Sequence, residues 1–340
     1  KPLAPQPDRS YLITGGLGAI GLHTAAYLAQ LGAGDIVLTS RHAPDDDARQ
    51  AIADITERHR CRVHVFTADV GDESEVARLL ERIRAELPPL AGVAHLAGVL
   101  DDALLSEQTV ERFETTLAPK AFGACHLDRL TKQDHLDFFI MSSSVSSIFG
   151  SPGQANYSTA NALLDGLVAR RKAKGQPATG VNFGPWADGG MASSDAARAN
   201  LAAQGLIPLE PSAALGALAE VVANGTGQAT VINANWQRAA KLLGASRPPI
   251  LDLVLPRAAG EVVGDSELLA QLQEIPVAQR AAFVTEFLQQ EVQNFLRLAQ
   301  PPAAQMHHRL PQRLAVDPGN EAVMQRRHLH HDGGRGQPVR

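Results

Sequence analysis

Cysteine is scarce in this chain. Cys61 and Cys125 are the only two among 340 residues, which excludes a disulfide framework and a cysteine-built metal site. That usage fits a reducing, cytoplasmic compartment. Aromatic residues are also few, at 4%, and no basic stripe is interleaved with them, so nucleic acid is not an expected partner. No run approaches the roughly 18 apolar residues of a membrane span. The opening Lys1-Pro2-Leu3-Ala4-Pro5 lacks the regions of a signal peptide. It also lacks an initiator Met, so the sequence reads as a piece cut from a longer chain. What remains is 44% hydrophobic and 20% charged, with a net charge of -5. Those are the proportions of a globular protein.

From about residue 9 to 245, short apolar runs alternate with helix-like stretches. The runs are Tyr11-Leu12-Ile13, Asp35–Leu38, Val63–Phe66, Gly92–His95, Leu136–Met141, Thr179–Phe183 and Ala229–Ile232. This is the rhythm of parallel strands joined by crossover helices. It predicts an α/β fold: a Rossmann-like, doubly wound, parallel seven-stranded sheet with helices on both faces. Residues 188 to 210 break the rhythm with Gly189-Gly190, an Ala-rich stretch and Pro208. An insertion after the sixth strand is placed to act as a lid. Residues 1–8 read as a linker, 9–245 as the main domain and 246–264 as a Pro- and Gly-rich linker. Beyond that, 265–299 predicts two amphipathic helices, the second carrying Phe283, Phe287, Leu288, Val292 and Phe295 at helical spacing.

The clearest motif is Thr14-Gly15-Gly16-Leu17-Gly18-Ala19-Ile20-Gly21. It follows the first strand and opens a helix. Glycines let backbone approach a pyrophosphate, and the helix start offers N–H groups and the positive end of its dipole. Dinucleotide binding is the expected role. The second strand ends in Thr39-Ser40-Arg41. A hydroxyl followed by a guanidinium suits a 2′-phosphate, and so NADPH, where an NAD enzyme usually places an acid; an ordinary surface Arg is the plainer alternative. Asp69-Val70 ends the third strand. Its carboxylate can bond an adenine amino group or cap the next helix.

Tyr157 and Asn161 are four apart, on one helix face. Ser144 lies 13 residues before Tyr157, just past the fifth strand, and Lys120 sits on the preceding helix. With these residues the chain resembles the short-chain dehydrogenase/reductase superfamily, and within it the ketoreductases of modular polyketide synthases. Ordinary members carry Tyr-x-x-x-Lys. Here Asn161 holds that lysine's position and the lysine is displaced to Lys120, as in polyketide and animal fatty acid synthase ketoreductases. His95-Leu96-Ala97-Gly98-Val99-Leu100-Asp101-Asp102 and Asn182-Phe183-Gly184-Pro185-Trp186 also match that subgroup.

The resemblance implies NADPH-dependent reduction of a β-ketoacyl thioester carried on phosphopantetheine. Tyr157 would donate the proton, Lys120 would stabilise its phenolate and contact the nicotinamide ribose, and Ser144 would hydrogen-bond the developing oxyanion. Asn161 would hold a water that relays protons. His95, Ala97, Gly98, Gly184, Pro185 and Trp186 would join the glycine loop around the cofactor. Leu100-Asp101-Asp102 resembles the B-type fingerprint, which implies a (3R)-hydroxyl product. Phe149 stands where A-type enzymes carry Trp, Pro152 fits the B-type pattern, and Met191 matches a lid position over cofactor and acyl chain.

Two departures accompany the resemblance. These ketoreductases carry a preceding non-catalytic half, absent here, so that half is an expected partner together with an acyl carrier protein and other synthase domains. Residues 265–304 resemble the start of an acyl carrier domain but no Gly-x-Asp-Ser follows. Residues 305–340, with His307, His308, His328, His330 and His331, lack any sustained apolar period and read as a disordered tail from a frame change or truncation. Two other roles stay open: a free-standing reductase of small ketones, and a remnant or scaffold that binds NADPH without turnover.

Overall fold

A computed structural model describes residues 2–188, 195–243, 249–251, 254–255, 272 and 274–296. The chain divides into two units, 1–259 and 260–340. The first opens with β1 (Ser10–Thr14), α1 (Ala19–Gln30), β2 (Asp35–Ser40), α2 (Asp46–His59), β3 (Arg62–Thr67), α3 (Glu73–Glu86) and β4 (Leu90–His95). Then come α4 (Val110–Leu117), a π-helical turn (Ala118–Phe122), α5 (Gly123–Leu130), β5 (Phe138–Ser144), the short α6 (Ser146–Phe149), α7 (Ala155–Ala173) and β6 (Thr179–Phe183). The unit continues with α8 (Asp195–Ala203), β7 (Leu206–Ile207), α9 (Pro211–Ala223), β8 (Gln228–Val231), β9 (Asn233–Ala234) and α10 (Trp236–Leu243).

Seven strands form one sheet in the order β3-β2-β1-β4-β5-β6-β8, and every neighbouring pair is parallel. This is the doubly wound sheet expected from the alternating pattern. Its central strands are buried on both faces, as a sheet covered by helices on both sides requires. Side chains alternate between two cores. Tyr11, Ile13, Ile36, Ile140 and Val181 face α1 and α9, while Leu12, Val37, Val93, Phe139 and Met141 face α3, α5 and α7. Strand order reverses between β1 and β4, which opens a crevice at their carboxyl ends.

Three details differ from the sequence reading. β5 runs to Ser144 rather than stopping at Met141. Ser142, Ser143 and Ser144 lack the apolar pattern of a strand, but they pair in register with Val181, Asn182 and Phe183 of β6. Lys120 lies on the π-helical turn rather than on a regular helix. Within 188–210, β7 pairs antiparallel with β9, a two-residue ribbon too short to leave a periodic trace.

In the second unit, α11 (Val277–Leu296) carries Phe283, Phe287, Leu288, Val292 and Phe295 along one helix, as their spacing predicts. Met191, Gly189-Gly190, most of the 246–264 linker, the greater part of the first carrier-like helix and the tail 305–340 lie outside the described residues. Among the described residues, no helix is long and apolar enough to cross a membrane.

Candidate active site

The crevice is built on one side by the glycine loop. Gly15 has φ +65°, a conformation that L side chains rarely adopt. A Cβ on Gly21 would fall 2.4 Å from the Gly15 carbonyl oxygen, so the first turn of α1 can pack onto the loop only without one. The next two helices are capped by side chains: Asp45 accepts from the Ala48 N–H on α2, and Asp72 accepts from Ser74 and Glu75 on α3. The cap of α1 is Gly18, with no side-chain bond. Its first N–H groups are left for a ligand. Gly15, Gly18, Ile20, Gly21, Ser40, Leu96, Gly98 and Asp188 line a cavity of about 280 Å³. A dinucleotide's phosphates fit this backbone-lined, uncapped helix start. Arg41 is exposed beside Ser40.

Behind the loop lies a buried strut. The His95 Nε2 sits 2.7 Å from the Lys120 carbonyl oxygen, which can only accept. Nε2 therefore carries the proton, and Nδ1 accepts from the Thr14 hydroxyl at 2.8 Å. The same hydroxyl oxygen accepts from the Leu96 and Ala97 N–H groups. Burial pulls the His95 pKa down to about 3, so the ring stays neutral. Both ring nitrogens of His95 are engaged inside the protein, so any contact this residue makes with a cofactor would come from its backbone. The Trp186 ring is buried and meets Phe183 edge-on at 5.2 Å, while Gly184 and Pro185 are tied to β8 and to Leu209 through backbone bonds.

The opposite wall gathers Lys120, Ser144, Tyr157 and Asn161. Lys120 is buried. Its Nζ donates to the Ser142 carbonyl at 3.0 Å and lies 5.7 Å from the centre of the Tyr157 ring. A Cβ on Gly98 would come within 3.2 Å of that Nζ. Burial lowers the Lys120 pKa to about 8, with Asp165 opposing. Burial pushes the Tyr157 hydroxyl above its ordinary value, while hydrogen bonds with Asn161 and Ser144 act against it. Asn161 Nδ2 donates to the Tyr157 carbonyl at 2.8 Å. The buried Asn161 Oδ1 has no partner among the described residues.

Asp101 and Asp102 are drawn onto the turn before Tyr157. Asp102 accepts from Gln154 Nε2 at 3.1 and 3.2 Å. Asn156 Nδ2 donates to the Asp101 carbonyl at 2.8 Å, and the Asp101 carboxylate pairs with Arg112. Leu100 and Pro152 are exposed and Phe149 is half-buried. Asp69 Oδ1 accepts from the Gly71 N–H at 2.8 Å. The helix cap is therefore Asp72, and Asp69 shapes the turn before it. The carbonyl of the buried Val70 accepts from His126.

Sequence reasoning missed one group. Asp165, Ser147 and Asn182 form a hydrogen-bonded cluster against Ser144. The signal was present in part, since 157, 161 and 165 continue one face of α7 at fourfold spacing.

Residues 9–188 match the KR domain family model. The chain is 39% identical over 298 residues to the polyketide synthase GfsA of Streptomyces halstedii, which covers 85% of this chain and 4% of that one. An A-type ketoreductase from a modular polyketide synthase aligns with TM-score 0.68 and 37% identity, over 73% of this chain and 52% of that one. The ketoreductase from the first module of phoslactomycin biosynthesis in Streptomyces sp. HK803 aligns with TM-score 0.70 and 34% identity, over 76% of this chain and 60% of that one. The chain thus spans only a small part of the curated relative and little more than half of either solved chain.

Proposed function

Because this chain belongs to the KR domain family, the ketoreductases of modular polyketide synthases, we propose that it reduces a β-ketoacyl thioester to the (3R)-hydroxyacyl thioester with NADPH. It is an oxidoreductase of the short-chain dehydrogenase/reductase type, a class that uses a nicotinamide cofactor. One observation carries the proposal: Lys120 and Ser144 flank Tyr157, and the glycine-lined cavity lies at the same edge of the sheet.

Each residue has a distinct task. The glycine loop and the start of α1 hold the cofactor's phosphates, and Ser40 with Arg41 hold a 2′-phosphate. The bound cofactor supplies hydride to the β-carbonyl carbon. Tyr157 gives its hydroxyl proton to the carbonyl oxygen, and Ser144 donates a hydrogen bond to the same oxygen. Burial keeps the phenol protonated at neutral pH, so the proton is there to give. The Lys120 ammonium then stabilises the phenolate left behind. The free Oδ1 of Asn161 is an acceptor for a water that returns the proton. Asp101 and Asp102, fixed to the turn that leads into Tyr157, support the B-type product, together with Phe149 in place of Trp.

The acyl chain would arrive on the phosphopantetheine of an acyl carrier protein, with other synthase domains as further partners in the cytoplasm. Residues 9–245 would form the catalytic domain, and 265–304 a carrier-like segment. The test follows NADPH oxidation with a β-ketoacyl-pantetheine thioester and resolves the product on a chiral column. A (3R) product is expected, with NADPH strongly preferred over NADH. A (3S) product would remove the B-type assignment. Tight NADPH binding without oxidation would favour a cofactor-binding scaffold instead.

A further inference from the structure

We propose that Asn156 is a positioning residue for this reduction: its buried amide fixes Tyr157 against α4, which leads into Lys120, and against the loop that carries Asp101. The inference rests on the roles of Tyr157 and Lys120 proposed above.

The first turn of a helix leaves N–H groups without intrahelical acceptors. On α7 the cap residue, Gln154, makes no side-chain bond to them; its Nε2 is turned to Asp102. Its carbonyl takes the Ser158 N–H, at 2.8 Å. The Tyr157 N–H falls one residue earlier and is met by its neighbour, since Asn156 Oδ1 accepts from it at 2.8 Å. This bond sets which way the amide faces, because Nδ2 cannot accept from an N–H.

Nδ2 is then turned away from α7 with two protons to give. One goes to the Asp101 carbonyl, at 2.8 Å. The other goes to the hydroxyl oxygen of Thr116 on α4, at 3.1 Å. The Thr116 hydroxyl gives its own proton to the Arg112 carbonyl, at 3.2 Å, so each proton has one acceptor. Asn156 and Thr116 are both fully buried. Breaking either bond would leave a buried polar group unpaired, which is costly. Thr116 stands four residues before Lys120, where α4 runs into the π-helical turn. Asn156 stands one residue before Tyr157. A single amide therefore joins the two segments whose side chains meet in the corner, where the Lys120 Nζ lies 5.7 Å from the centre of the Tyr157 ring. The Ala103 N–H donates to the Gly153 carbonyl at 2.9 Å, which ties the same loop to the turn before α7.

Asn156→Asp keeps the shape and the acceptor for the Tyr157 N–H but loses both donors. Thr116→Val removes one acceptor without adding a charge, and Thr116→Ser keeps it. The first readout is the Tyr157 ring signal, followed by NMR in the full chain labelled with ¹³C at tyrosine. The chain has three tyrosines, and Tyr157→Phe assigns the signal. It should shift and broaden in Asn156→Asp and in Thr116→Val, and stay at the parent position in Thr116→Ser. The second readout is rate. Asn156→Asp should lower kcat by about tenfold to a hundredfold, with NADPH affinity near the parent value, and should cost no further rate in a Tyr157→Phe background. Thr116→Val should lower kcat by about threefold to tenfold. If Asn156→Asp does not fold, the two Thr116 variants decide. A Tyr157 signal that stays in place in Thr116→Val overturns the proposal, as does an equal change in Thr116→Ser, or an equal loss of rate from Asn156→Asp with and without Tyr157. The ring signal needs no turnover. A chain that reduces no thioester would thus sink the proposed reduction, while the hold of Asn156 on Tyr157 is decided by NMR.

Discussion

The glycine loop and the tyrosine corner share one edge of the sheet, but one is made of backbone and the other of side chains. The loop binds by what it omits. Gly15 and Gly21 leave room that a single Cβ would fill, and α1 begins without a side-chain cap. The corner works by what it buries. Lys120 and Ser144 are almost wholly enclosed around a half-buried Tyr157, and burial moves the pKa of Lys120 down and that of Tyr157 up. Shape changes should therefore damage the loop, and changes of charge or proton should damage the corner.

The largest expected break is at the corner. Tyr157→Phe removes the proposed proton donor, so kcat should fall about 10²–10⁴-fold while NADPH affinity, read by cofactor fluorescence, stays near the parent value. Lys120→Met comes next. A loss of about a hundredfold is expected. The parent's activity should also fall as pH rises through about 8, because the ammonium is then lost, and this limb should vanish in the variant's pH–rate profile. At the loop, Gly21→Ala must shift the backbone around Gly15. Calorimetric titration should show NADPH binding weakened by at least about tenfold. Arg41→Ala removes the charge-assisted contact proposed for a 2′-phosphate, so the proposed preference for NADPH over NADH should shrink by about tenfold.

The strut joining the two regions makes the smallest claim, on stability. The folded pKa of His95 is about 3, below the unfolded value of about 6.5. The unfolded chain binds the extra proton, so the benefit of a neutral buried ring holds above about pH 6.5 and is lost as pH falls towards 3. Between neutrality and pH 5 the folded state should lose about 2 kcal/mol from this residue, or several degrees of melting temperature. His95→Gln should flatten that slope. A parent melting curve that does not change across this range would remove the strut from the account.

The same contrast explains what could be read from the sequence. Glycines are legible because their identity encodes the backbone they permit. Tyr157 and Asn161 are legible because their spacing is local, and Ser144 and Lys120 because they match a family pattern. The cluster of Asp165, Ser147 and Asn182 was not, because it exists only once β6 lies beside β5 and brings Asn182 under α7. His95 and Trp186 matched a motif, but which way their rings point depends on packing across the sheet. The end of β5 was read too early because its last three residues are serines, held by the ladder to β6 rather than by an apolar face.

The division of labour between loop and corner is tested most directly by one comparison of rates. Single-turnover oxidation of NADPH, with the thioester present and the cofactor raised to saturation, is measured for Arg41→Ala and for Tyr157→Phe. The expected result is that Arg41→Ala regains the parent rate, while Tyr157→Phe stays at least about a hundredfold slower. A Tyr157→Phe protein that reaches the parent rate would contradict the account, because reduction would then not depend on the proton at Tyr157.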